Sequence, residues 1–212
     1  MVQDRAQSGF PVESSEQLWD GAVFGLREDR VQLPGGDRPV VRQYLTHPGA
    51  VGIVPVRFTG SDPLDAELLL LRQYRHPVRA ELWEIPAGLL DHPGEEPLAA
   101  AKRELREEAD LGARTWSVLV DLFTSPGASE EALRIFLATD LFAYEEAFAR
   151  AEEEAQLVPH WVDLRSAVAG VLAGDLHSPS AIAGILATQA TLLQPDFSRR
   201  EPAAPWLRKP RN

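Results

Sequence analysis

Two neighbouring runs, AVGIVPVRF (50–58) and ELLLLRQYR (67–75), are apolar at consecutive rather than alternate positions and rich in branched side chains. That pattern suits strands buried within a sheet, and the polar TGSDPLD between them reads as their turn. At 212 residues, 44% of them hydrophobic, the chain can supply one substantial core, or a compact domain with a smaller appendage.

The rest of the chain arranges itself around this pair. The first ten or so residues look loose. LWDGAVFGLREDRVQLPGGDRPVVRQYLTHPG then alternates apolar and polar residues about a PGGD turn signal, as antiparallel strands do. A few-stranded sheet of this length is marginal alone and is expected to pack on the rest of the chain or on a second subunit. LWEIPAG reads as one short strand. Pro97 suits the first turn of a helix running to about Asp110, with Leu98, Ala101 and Leu105 as its apolar stripe.

WSVLVDLF and ALRIFLATDL return to strand character around the turn-like TSPGASEE. AYEEAFARAEEEAQ reads as a loop or a short exposed helix, and HWVDL as one more strand. Ser178 and Pro179 open a helix through AIAGILATQATLL. The basic, proline-rich FSRREPAAPWLRKPRN is expected to be poorly ordered. The expected division is an N-terminal β unit at 1–48, a main domain at 49–195 and a flexible tail at 196–212. No internal repeat is present.

Composition narrows the chemistry. With no cysteine, thiolate nucleophiles and zinc-thiolate sites are excluded, leaving oxygen and imidazole as metal ligands and favouring a hard ion such as magnesium or manganese. A net charge of −11 argues against nucleic acid as partner. No long apolar run and no signal-like N-terminus are found, so no membrane association and a cytoplasmic location are expected. The five histidines show no metal-binding spacing, Trp83 and Trp161 read as core residues, and no glycine-rich Walker loop is present.

The stretch RELREEAD (103–110) is the anomaly. On a helix Glu104, Glu107 and Glu108 stand three and four apart, so all three carboxylates converge on one side and repel. A divalent cation reverses that sign, because it takes carboxylate oxygens together with water and substrate phosphate. Arg103, four before Glu107, is placed to hold one carboxylate by a paired hydrogen bond and leave the others to the metal.

GLLDHPGEEPLAAAKRELREEADL resembles the signature box of the Nudix family, with Gly88, Glu95, Arg103, Glu104, Leu105, Glu107 and Glu108 in order. Two departures stand out. Six residues instead of the usual five separate Gly88 from Glu95, and Asp110 stands where the family usually has glycine, which puts the geometry of the helix exit in question. Pro126, sixteen residues after Asp110, together with QYRHPVRAELWEIPAGLLD, the N-terminal β unit and HSPSAIAGILA, resembles the ADP-ribose pyrophosphatase branch in its actinobacterial form.

The resemblance implies an α/β fold, the Nudix α/β/α sandwich with a mixed sheet, here carrying a small N-terminal antiparallel β unit. It implies that Glu104, Glu107 and Glu108 hold magnesium, or manganese in its place, helped by the backbone carbonyl of Ala87. Arg103 is grouped with the catalytic residues and Gly88 with the substrate side. Arg75 would meet the diphosphate or the terminal ribose phosphate. Arg42 and Phe24 would come from the partner chain of a homodimer whose N-terminal sheets exchange, Phe24 stacking on adenine unless it is a core residue. The general base would come from AEEEAQ, Glu154 first and Glu153 as its neighbour alternative.

The implied activity is hydrolysis of ADP-ribose to AMP and ribose 5-phosphate. The alternatives are cleavage of another nucleoside diphosphate derivative, such as a nucleotide sugar or dinucleotide, a module that senses ADP-ribose without turnover, and a structural acidic protein.

Overall fold

The computed structural model describes residues 2–5, 9–150, 157–194 and 199–207. Strands β1 (Val12–Asp20), β2 (Gly25–Val31) and β3 (Val40–Thr46) form a three-stranded antiparallel sheet in that order. It is stitched to the remainder at Leu45, whose N–H donates to the Ala128 carbonyl (2.9 Å) and whose carbonyl accepts from Glu130 N–H (3.0 Å). The expected packing on its own chain is met at this edge, while other parts of the sheet are left uncovered. β1 is exposed along its whole length, and Val12, Leu18, Trp19, Phe24 and Val41 face outward.

The second sheet has seven strands. β4 (Ala50–Phe58), β5 (Ala66–Arg75), β8 (Leu111–Phe123), β9 (Ala132–Ala143) and β10 (Val158–Asp163) run in the order β10-β5-β4-β9-β8. β6 (Ala80–Glu84) adds to β5, and β7 (Ala87–Leu89) adds to β4. β4 and β9 are parallel and their other pairings antiparallel, so the sheet is mixed.

Strand parity explains why consecutive positions of β4 are apolar. Val51 and Ile53 pack with Ala100, Ala101 and Leu105 of helix α1 (Pro97–Ala109). Val54 and Val56 point the other way, against Leu164 and Ala167 of α2 (Leu164–Ala173) and Ala181 and Ile185 of α3 (Pro179–Leu192). β9 repeats the division, with Phe136 and Ala138 on the α1 side and Ile135 and Leu137 on the other. Side chains of successive strand residues alternate between faces, so a sheet covered on both sides needs apolar residues at every position. The result is the α/β/α sandwich.

Several elements differ from the sequence reading. LWEIPAG is two strands on different partners, because Pro86 between them has no N–H to continue a ladder. β8 begins at Leu111, directly after the helix, and not at Trp116. Helix α2 is unanticipated, yet its ends are well marked. Asp163 accepts from Ser166 N–H (2.8 Å) as its N-cap, and Gly174 closes it at φ 81°, a left-handed conformation that glycine adopts without strain. The described part of AYEEAFARAEEEAQ, up to Arg150, is non-helical.

The tail, expected to be poorly ordered, is docked in part. Val118 N–H donates to the Arg200 carbonyl (2.9 Å), and Ala204 and Trp206 pack on the α1-side core. The physical reason is Arg134, a buried cation on β9 that needs acceptors. Asp121 supplies two (2.7 and 3.0 Å), the carbonyl of Ala204 a third (2.8 Å), and the Trp206 ring lies 4.7 Å from the guanidinium.

Candidate active site

α1 starts at Pro97 and presents its apolar residues to β4, which turns Glu104 and Glu108 toward the neighbouring strand β7. Both are almost fully buried, 7% and 8% exposed. Glu108 Oε2 accepts from the backbone N–H of Ala87 at 3.0 Å. Glu104 lies over Gly88 so closely that a Cβ at that position would fall 1.9 Å from Glu104 Oε1. The glycine of the box is therefore a space requirement, since no other residue lets strand and carboxylate approach this far.

Arg103 organises the carboxylates, but not as the spacing suggested. Its paired hydrogen bond goes to Glu95 (Nε to Oε1 and Nη2 to Oε2, both 3.1 Å) and not to Glu107. A third guanidinium nitrogen, Nη1, donates to both Glu104 Oε1 (2.6 Å) and Glu107 Oε2 (3.0 Å). The fork geometry of arginine matches a carboxylate edge, and the loop carrying Glu95 brings that edge within reach. The hydrogen bonds from Arg103 hold the Glu95 carboxyl below its ordinary range despite partial burial, with His92 adding a smaller pull in the same direction. Arg103 is in turn raised further above its already high value, chiefly by its bonds to Glu95.

Three carboxylates thus share one guanidinium, and a fourth, Glu108, is held by a neutral amide. Among the described residues no three acidic or imidazole groups are gathered tightly enough to grip one ion as they stand. The donor chemistry nevertheless fits a hard divalent cation. All the available ligands are oxygens, two of the acids are buried where a compensating charge has most effect, and Gly88 leaves the room that Glu104 occupies.

Arg75, at the end of β5, is forked onto Glu84 of β6 (Nε to Oε1 2.9 Å, Nη2 to Oε2 2.6 Å). The sequence reading missed Glu84; its signal was an acid placed between Trp83 and Ile85 in a strand otherwise heading into the core. Arg42 lies on β3 and Phe24 in the turn between β1 and β2, away from the carboxylates in sequence and element. Arg42 donates to the carbonyl of Val41 (2.9 Å). Phe24 is not core: it is 43% exposed and rests against Trp19 with ring centres 5.6 Å apart. Glu153 and Glu154 lie outside the described residues.

The exit from α1 answers the question raised by Asp110. It takes φ 54° and ψ 30°, the left-handed conformation for which glycine would be the ordinary choice, and an aspartate tolerates it better than most residues. Burial pushes its carboxyl up, but hydrogen bonds from Phe148 N–H and Arg150 outweigh that and hold it below the usual range.

With this geometry in view, comparison with known proteins is specific. The NUDIX domain model matches residues 46–181. The chain is 43% identical over 206 residues to the ADP-ribose pyrophosphatase of Mycobacterium tuberculosis, covering 97% of this chain and 95% of that one. It is 36% identical over 141 residues to the ADP-ribose pyrophosphatase of Bacillus subtilis, covering 66% and 72%. A solved structure described as an ADP compounds hydrolase superposes with a TM-score of 0.69 at 22% identity, covering 91% of this chain and 98% of that one, a likeness of fold. The chain belongs to the Nudix family of hydrolases. Within that family its relatives set it beside the ADP-ribose pyrophosphatases. Among the described residues no helix is long and apolar enough to cross a membrane.

Proposed function

We propose that this enzyme hydrolyses ADP-ribose to AMP and ribose 5-phosphate with magnesium, or manganese in its place. The observation that carries the reading is the similarity to the Mycobacterium tuberculosis ADP-ribose pyrophosphatase across nearly the whole chain, N-terminal sheet included. The acidic face of α1 against Ala87 and Gly88 supports it.

Glu104, Glu107 and Glu108 would hold the metal, with the Ala87 carbonyl as a further donor. When bound, the ion neutralises charge on the diphosphate and makes a water easier to deprotonate. The chain's own groups do the rest. Arg103 keeps Glu95, Glu104 and Glu107 gathered on one guanidinium before substrate arrives. The Ala87 N–H fixes the Glu108 carboxylate. Arg75, oriented by Glu84, presents a guanidinium to the phosphate side of the substrate. Glu154, with Glu153 as the alternative, accepts the proton of the attacking water. Water adds across the diphosphate bridge, and one phosphate leaves on each product.

Assembly belongs to the same reading. The exposed apolar residues of the N-terminal sheet fit a homodimer in which a second copy covers them and brings Phe24 and Arg42 to the adenosine end. A second substrate reading, another ADP-containing compound, is favoured by 34% identity over 123 residues to the Escherichia coli ADP compounds hydrolase NudE.

Incubating the purified chain with ADP-ribose and magnesium, and resolving nucleotides by chromatography, tests the proposal. Stoichiometric AMP is expected. Cleavage of other ADP compounds with ADP-ribose left intact would replace the first reading by the second, and tight binding of ADP-ribose without AMP would make the protein a sensor.

A further inference from the structure

Glycine would make the exit from α1 with less strain than Asp110, so helix termination alone does not account for a carboxylate there. Both of its oxygens are engaged by a segment far along the chain. Oδ1 accepts from Phe148 N–H (2.6 Å) and Oδ2 from Arg150 Nη2 (2.5 Å), while the Asp110 carbonyl accepts from Tyr144 N–H (3.0 Å). Arg150 adds a bond from Nε to the carbonyl of Glu107 (2.8 Å), in the last turn of α1. Carbonyls there lack partners further along the helix, and a cation beside them is favoured by the helix dipole. The Arg106 guanidinium lies 4.6 Å from the centre of the Tyr144 ring, closing the same contact from the side.

Residues 144–150 are thus laid along the C-terminal turn of the helix that carries Glu104, Glu107 and Glu108. We infer that Asp110 and Arg150 are positioning residues for the hydrolytic reaction, a clamp that holds the chain leaving β9 against the last turn of α1 and so fixes the turn that carries Glu107 and Glu108. The inference rests on the function proposed above. Neither residue touches substrate; both act through the backbone they hold. A helix turn displaced by about an ångström is enough to cost a large factor in rate when the carboxylates it carries must be in place together.

The decisive variant is Asp110→Gly, which keeps the left-handed exit and removes both carboxylate contacts. Amide exchange at Tyr144 and Phe148 is followed by NMR in the free protein, with the thermal midpoint, and kcat and KM are measured on ADP-ribose with magnesium. We expect the midpoint to stay near that of wild type, exchange at both amides to quicken about tenfold or more, and kcat to fall about tenfold with KM changed less than threefold. Arg150→Lys should recover part of the rate lost in Arg150→Ala, and Asp110→Gly with Arg150→Ala should be no slower than the worse single variant, since the two act as a unit.

Unaltered exchange in Asp110→Gly overturns the clamp, as does faster exchange with an undiminished kcat, or losses that multiply in the double variant. A wild type that leaves ADP-ribose intact counts against the proposed substrate alone; exchange is read without substrate and still decides whether the clamp exists.

Discussion

The acidic face of α1 and the three-stranded N-terminal sheet are opposites within one chain. Around α1, Glu104 and Glu108 are buried, and a single guanidinium, that of Arg103, bonds to Glu95, Glu104 and Glu107. In the sheet, large apolar side chains are exposed, Trp19 by 52%, and its strands bond mainly to one another. Each inverts the ordinary rule that apolar groups go inside and charges outside. Under the proposed function both inversions have one reason: the buried acids would face a cation and a phosphate, and the exposed apolar residues would face a second apolar surface.

The strongest way to break the comparison is Glu108→Gln. The amide is nearly isosteric, so the fold should survive, while turnover falls on the order of a hundredfold or more through loss of one charge from the buried set. Steady-state rates at ordinary magnesium, beside a melting curve, check it; near wild-type activity would remove Glu108 from the site.

Gly88→Ala comes next. The new methyl must displace Glu104 or β7, which predicts a stability loss of about 1–3 kcal/mol by overpacking and a rate loss larger than that loss explains. Chemical denaturation paired with kinetics separates the two, and a stable, fully active variant would show that the close approach carries no function.

For the sheet, Trp19→Lys should leave the melting of the sandwich nearly unchanged, because surface substitutions usually stay within about 0.5 kcal/mol. It should shift the molecular mass in light scattering from dimer toward monomer. An unchanged mass would mean that the exposed face of β1 is not the contact.

The smallest effect concerns pH. The Glu95 carboxyl is held low in the folded state by Arg103, so the stability it adds is fully present above its unfolded pKa and lost as pH falls through the folded value. Wild type should therefore lose stability on acidification below the ordinary glutamate range more steeply than Glu95→Gln. Parallel slopes in acid titrations of the two would contradict the assignment.

Much of this was legible from local pattern. The buried strand pair, the helix begun by Pro97 and the box residues each depend on neighbours within a few positions. The pairing of Arg103 was not, because its partner Glu95 is brought near by a loop whose path no spacing rule specifies. Glu84 went unnoticed for the same reason: its role exists only once β6 lies beside β5 and places it at Arg75. The tail was misjudged because composition reports average solubility, whereas docking depended on one buried arginine with acceptors to find. Helix α2 was a different kind of miss, since Asp163 and Gly174 marked both of its ends in plain view.

By itself the sequence determined which stretches become strand and helix and which acids share a helix face, since these follow from side-chain periodicity and chain stereochemistry. Only the tertiary structure decided that Gly88 is a clearance for Glu104, that Arg103 joins three carboxylates, and that Asp110 reaches forward to Phe148 and Arg150. Those are distances between residues remote along the chain, and they come into being when the two faces of the sheet are covered and the elements settle at contact.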